Sequence, residues 1–222
     1  NCSLSSEDNK EIVNSNINLA LKEIGFSNKK LKTLIQVHSN KVCFVDKKNF
    51  NHKFESDGLI TLDKDICIAV LTADCCPIFI YDVEGSFIAC VHSGWKGCFS
   101  NIIKNAAIKI NKIQPNIKNI QAIVGPCLSK ENFEVTEDFK NSFIKQNEDY
   151  KIFFSDSSIP YKYLFDMRKL IEFQLLKNNI ANIHNVDLDT YANKNLFFSH
   201  RRSTHKKQLP TGRMINIIGF NK

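Results

Sequence analysis

Arginine is scarce in this chain. Of its 222 residues 30 are Lys or Arg, and only four of those are Arg. No run of 18 uninterrupted apolar residues occurs, which argues against a membrane-spanning helix. The opening stretch NCSLSSEDNK has no apolar signal segment, and it has no Met, so the natural chain is expected to begin upstream. There is no internal repeat, low-complexity tract or long linker. A single Trp and scattered aromatics make no stacking platform, and no nucleic-acid motif accompanies the net charge of +7. Neither nucleic acid nor a membrane is therefore expected as a partner.

What is present fits one globular domain. A hydrophobic fraction of 43% with 17 Phe suffices for a sizeable core. The eight cysteines (Cys2, Cys43, Cys67, Cys75, Cys76, Cys90, Cys98 and Cys127) are scattered through apolar runs. That usage implies free thiols in a reducing compartment, hence a cytoplasmic location. The abundant Lys reads as a solvated surface. Arg201, Arg202 and Arg213 stand within thirteen residues. In a chain that otherwise uses Lys they point either to bidentate anion binding or to structural ion pairs.

Periodicity predicts a helix over 8–24 stopped by Gly25, then β runs at TLIQVH, KVCFVD, DGLIT, ICIAVLT, CPIFIYD and SFIACVH. A helix over 99–113, a strand at IQAIVG and helices near 136–147 and 165–178 follow. Strands are expected near 183–188, 196–200 and 214–219. The fold class is α+β, a single domain with a mixed β-sheet core flanked by helices.

The chemistry concentrates between His38 and Gly97. If Asp82–Gly85 is a four-residue hairpin loop, Tyr81 faces Ser86 and the register carries back to place Cys75 opposite His92. Pro77 invites a bulge on the way. A Cys and a His so placed can bind one metal or form a thiol–imidazole dyad, while Cys76 points to the other face, into core. His38, at the end of another β run, is the third candidate. Separations of 37 and 17 residues do not match a zinc finger; three ligands from separate strands would instead resemble a catalytic zinc site with an open position. Asp57 and Asp74 are candidates to orient the imidazoles from behind. Gly94 and Gly97 bracket a turn that opens a helix, where backbone N–H groups can meet an anion.

The segments QVHSNKV, SDGLIT, LTADCCPIFIYD, VHSGWKGCFSNI, VGPCLSKENFEV and FFSHRRS…TGRMINIIGF, in this order, resemble the laccase-like multicopper polyphenol oxidoreductase family, also known as peptidoglycan editing factor, which includes zinc-dependent purine nucleoside phosphorylases. The resemblance implies one domain over 1–222 with the family's N-terminal hairpin missing. It also implies a zinc site at His38, Cys75 and His92, which would be the catalytic residues. Purine nucleosides and phosphate would be the partners, with Asn40, Lys96, Arg201, Arg202 and Arg213 as substrate contacts. The chain departs from the family pattern at Ile17, Lys96, Asp189 and His200, and an added THKKQLP stretch precedes Thr211.

The leading expectation is a zinc-dependent purine nucleoside enzyme that phosphorolyses adenosine, inosine or methylthioadenosine, with adenosine deamination as a further activity. Lys96 with Arg201 or Arg202 would offset phosphate charge. The H-x-E and P-C-x-x-C signature of zinc deaminases is absent, so no Glu is assigned as proton shuttle. The alternative is a Cys75–His92 hydrolase acting on peptidoglycan fragments or amides, with Asp74 as orienter. Copper is the less favoured metal, because six His are too few for multicopper oxidation. A binding module without catalysis would need a trio with no open coordination position.

Overall fold

A computed structural model describes residues 1–4, 6–115 and 117–221. In chain order the elements are α1 (Lys10–Glu23), β1 (Lys30–Lys32), β2 (Val42–Phe44), β3 (Gly58–Thr61), β4 (Ile66–Thr72), β5 (Cys76–Asp82) and β6 (Ile88–Ser93). Then come α2 (Trp95–Phe99), α3 (Ile102–Ile113), β7 (Ile120–Val124), β8 (Glu134–Thr136), α4 (Glu137–Gln146), β9 (Phe154–Asp156) and β10 (Lys162–Phe165). The chain closes with α5 (Met167–Lys177), β11 (Asn182–Asn185), α6 (His200–His205) and β12 (Met214–Ile218). No helix among the described residues is long and apolar enough to cross a membrane.

A six-stranded mixed sheet, ordered β11-β7-β5-β6-β3-β2, carries the fold. Its central strands are apolar on both faces, and alternation sorts them into two cores. Ile60, Ile78, Ile80, Ala89 and Val91 point toward α3, α5 and a cluster of phenylalanines. Leu59, Ile88 and Cys90 point the other way, onto Ile66, Ile68 and Val70 of β4. β4 is the centre of a second sheet, β1-β4-β12, and α1 closes a small cluster of Leu21, Phe26 and Cys67 above it. A third sheet, β8-β10-β9, lies beside α4. This is the mixed-sheet α+β class expected from the sequence.

Local departures have local causes. The expected strand at TLIQVH is reduced to a single bridge, Ile35 with Glu55. The Gln36 side chain does the pairing instead: its amide donates to the Leu71 carbonyl at 2.8 Å and accepts from the Leu71 N–H at 2.7 Å. The strand expected at 196–200 is also absent. Ser199 caps α6 there by accepting from the Arg202 N–H. The helix expected over 99–113 starts at Ile102, where Asn101 turns left-handed at φ 58° and separates it from the short α2. β1, β8, β9 and β10 were not foreseen, since three or four residues are too few for a period to register.

The hairpin register differs by two residues from the expected one. Tyr81 pairs with Ile88 rather than Ser86, and His92 stands opposite Pro77 rather than Cys75. The loop is 83–86, because Asp82 stays in the strand through its pairing with Ile120. Its carboxylate accepts from the Ser86 N–H, and Gly85 makes the turn at φ 74°. A shift of two keeps every side chain on its face.

Phe143 is the hub of the aromatic cluster, fully buried and in ring contact with Phe99, Phe139, Tyr150, Phe154 and Phe165. Truncating it removes the shared partner of five rings. Phe143→Ala is expected to destabilise the protein by about 3–5 kcal/mol, read as a lower urea midpoint at unchanged slope.

Candidate metal centre

Three chain segments meet at one end of the central sheet. β6 delivers His92 near its C-terminus, and β3 opens beside it, so that the His92 N–H donates to the Asp57 carbonyl at 2.7 Å. Cys75 immediately precedes β5 and follows Asp74, whose φ of 87° turns the backbone there. His38 sits at φ 56° on the loop that Gln36 anchors to β4. Left-handed backbone at two non-glycine residues is costly and persists only where the surroundings impose it.

Asp57 is the surroundings for His38. It has no solvent exposure. Its carboxylate accepts from the N–H groups of Val37, His38 and Ser39 at 3.3, 3.0 and 2.6 Å and from the Ser39 hydroxyl at 2.8 Å. A fifth bond, 2.9 Å, comes from Nδ1 of His92. Burial alone would raise this carboxyl, but His92 and Ser39 hold it below the usual carboxylate value. With Nδ1 of His92 spent on Asp57, Nε2 is the nitrogen left for the site.

The ligand atoms of His38, Cys75 and His92 all lie within 4.8 Å of one another. Cys75 Sγ is 3.8 Å from His38 Nε2, and the two imidazoles meet edge to face with centroids 4.8 Å apart. A tetrahedral zinc with bonds of about 2.0–2.3 Å spaces its ligand atoms by roughly 3.5 Å, so the trio needs little contraction to fit one. His92 is buried, Cys75 is half-buried and His38 is exposed, which leaves one side of the trio toward solvent. Gly94 packs over it: a Cβ there would stand 2.8 Å from Cys75 Sγ and 3.3 Å from His38 Cδ2.

Charge follows geometry. Burial works to raise the Cys75 thiol, but the His92 charge and the His38 contact outweigh it and bring the pKa down to about 6. Burial works to lower His92, but the Cys75 and Asp57 charges and bonds bring it up to about 9. Cys75 and His92 are thus a thiolate–imidazolium pair near neutrality. Three buried thiols go the opposite way: burial lifts Cys67 to about 11, Cys98 to about 12 and Cys90 higher still. Cys76 is lifted too, by burial and by neighbouring Cys127, and packs in the helix-side core. All eight cysteines are free.

The remaining sequence candidates separate. Asn40 and Lys96 line a groove beside His38. Asp74 does not orient an imidazole; its carboxylate accepts from the Thr190 hydroxyl at 2.7 Å and the Arg201 N–H at 2.6 Å, tying the Cys75 turn to the C-terminal segment. The Arg201 guanidinium pairs with Glu134 at 3.0 Å. That of Arg202 donates to the carbonyls of Thr190, Tyr191 and Phe197. Arg213 donates to those of Thr211 and Gly212. Sequence reasoning missed Gln36 and Thr190, whose roles depend on partners far along the chain. It also passed over Trp95, a large aromatic left 40% exposed.

A family model described as multi-copper polyphenol oxidoreductase laccase matches residues 1–221. The chain is similar to a purine nucleoside phosphorylase of Rickettsia prowazekii, 34% identical over 172 residues that cover 78% of this chain and 70% of the relative. It is also similar to one of Borreliella burgdorferi, 33% identical over 204 residues covering 87% and 81%. Among solved structures, the Bacillus licheniformis hypothetical protein YfiH superposes with a TM-score of 0.87 at 25% identity, covering 100% of this chain and 85% of that one.

Three predictions follow from the geometry. Asp57→Asn removes the charge behind His92 and is expected to weaken zinc affinity about 10- to 100-fold, measured by competition with a chromophoric chelator. In metal-stripped protein, the Cys75 contribution to stability is full above its ordinary pKa of 9.0 and fades as pH falls through about 6. The His92 contribution is full below 6.5 and fades as pH rises through about 9. Between about 6 and 9 the Cys75 contribution therefore grows with pH while the His92 contribution fades. Iodoacetamide at pH 7 should label Cys75 ahead of the buried thiols, with a rate midpoint near pH 6, and zinc should protect it; mass spectrometry of the digests reads both.

Proposed function

From the premise that this chain belongs to the multi-copper polyphenol oxidoreductase laccase family, we propose that it is a zinc-dependent purine nucleoside phosphorylase working at the His38–Cys75–His92 trio, within one domain over 1–222. The observation that carries the reading is the convergence of those three ligand atoms with one side left open. Two imidazoles and a thiolate suit zinc. Bound there, zinc would supply Lewis-acid polarisation of a substrate oxygen. Multicopper oxidation asks for many imidazoles. Among the described residues this trio is the one group of three or more His, Cys, Asp or Glu side chains gathered closely enough to hold an ion. His52 meets Phe54 edge to face and His205 bonds Tyr191.

In phosphorolysis a phosphate oxygen forms a bond to ribose C1′ while the C1′–N9 bond breaks and its electron pair leaves on the purine. Lys96, in the groove next to His38, supplies positive charge for the phosphate or the departing ring. The arginines are spent on Glu134 and on backbone carbonyls, so Lys96 and Asn40 carry the substrate contacts in this reading. Deamination of adenosine needs a group to take a proton from water. Asp57, the carboxylate bonded to His92, is sealed from solvent, which favours phosphorolysis as the principal reaction.

One observation favours a second reading. A thiolate paired with imidazolium is the resting state of a cysteine hydrolase, and Cys75 and His92 have those charges when no metal is bound. Substrates would then be peptidoglycan fragments or other amides.

The test uses purified, metal-quantified protein with adenosine, inosine and methylthioadenosine, with and without phosphate. About one zinc per chain and phosphate-dependent purine release are expected, with release falling at least roughly 100-fold in Cys75→Ala. Release that survives the substitution, or protein isolated without zinc yet active on amides, would replace this reading with the hydrolase.

A further inference from the structure

The geometry points to the indole face of Trp95 as the seat of the purine ring, an inference that rests on the nucleoside reading and says which part of the nucleoside lies where. An open groove of about 440 Å³ runs between the His38–Asn40 loop and α2, walled by Trp95, Lys96 and Phe99. It shares His38 with the metal trio, so a ligand lying in it has one end at the candidate ion.

Trp95 is exposed but not loose. Phe139 meets its ring at 5.2 Å and 62°, and the Lys96 ammonium lies 5.6 Å from its centroid. The short helix that bears it is held by amide side chains from three other segments. Gln174 donates to the Cys98 carbonyl, Gln146 to that of Phe99 and Asn40 to that of Ser100. An immobilised aromatic ring that stays 40% exposed is a ready platform for a flat ring, because little ordering remains to be done on binding.

Two polar features suit a purine over other flat ligands. The ring takes on negative charge as the C1′–N9 electrons move onto it, and the Lys96 ammonium over the Trp95 ring is placed to offset it. Asn40 spends its amide N–H on Ser100, which leaves Oδ1 without a partner among the described residues and able to accept from a base N–H. Ribose and phosphate then extend toward the trio.

Trp95 is the only Trp in the chain, so its fluorescence reports this groove alone. Zinc-loaded full chain would be titrated with adenine, with hypoxanthine and with ribose 1-phosphate. Saturable quenching by the bases and none by the sugar phosphate is expected. Trp95→Ala should raise the nucleoside KM by roughly 5- to 150-fold, with a smaller change in kcat and none in the phosphate KM, and Trp95→Phe should recover most of it. Unchanged fluorescence with both bases, or a nucleoside KM that Trp95→Ala leaves within twofold, overturns the seat even if phosphorolysis stands. If the protein cleaves no nucleoside, the base titration still decides: quenching upholds the seat and its absence removes it. Should the Ala variant fail to fold by circular dichroism, the wild-type titration and the Phe variant carry the test.

Discussion

A carboxylate with no access to water must be met by hydrogen bonds or be protonated, and Asp57 is met by five. Those bonds come from two directions. Three backbone N–H groups and a hydroxyl belong to the loop that carries His38, and one imidazole belongs to β6. One buried charge therefore fixes two of the three ligands relative to each other. It imposes the left-handed backbone at His38 and selects the nitrogen that His92 presents. Cys75 is brought in separately, through Asp74 and its bonds to Thr190 and Arg201. The site is thus two carboxylate-organised halves closed over by Gly94, whose missing side chain makes room for the sulfur.

The central sheet was legible because its strands are buried on both faces and carry long apolar runs. The faces of Cys75 and Cys76 could be told apart for the same reason: parity survives a shift of two. The register itself was not legible, because Asp82 could end a strand or begin a loop, and only Ile120, nearly forty residues on, decides it. His38, Cys75 and His92 were readable as candidates from residue type and from the family resemblance. The support behind them was half readable. Asp57 lies next to a strand that pairs with the one bearing His92, whereas Asp74 answers a hydroxyl 116 residues away.

The arginines show what composition leaves open. Their rarity in a Lys-rich chain pointed either to anion binding or to structural ion pairs, and the guanidinium fork is also the side chain that can satisfy several carbonyls at once. Arg168 takes Val186 and Leu188, Arg202 takes three carbonyls between 190 and 197, and Arg213 takes two more. The stretch from 186 to 213 has one short helix and no strand. Apart from the Cys127–Asp189 bridge its carbonyls lack ladder partners, and a lysine, with a single nitrogen, would serve them poorly.

The braces around the site share a chemical property. Gln36 stands in for a strand against β4, and Asn40, Gln146 and Gln174 hold the end of the helix that bears Trp95. Carboxamides neither gain nor lose a proton across the pH range in which proteins remain folded. These amide braces consequently keep one geometry while the thiol and imidazole they surround change charge, and they contribute a constant background to whatever acidity profile the centre displays.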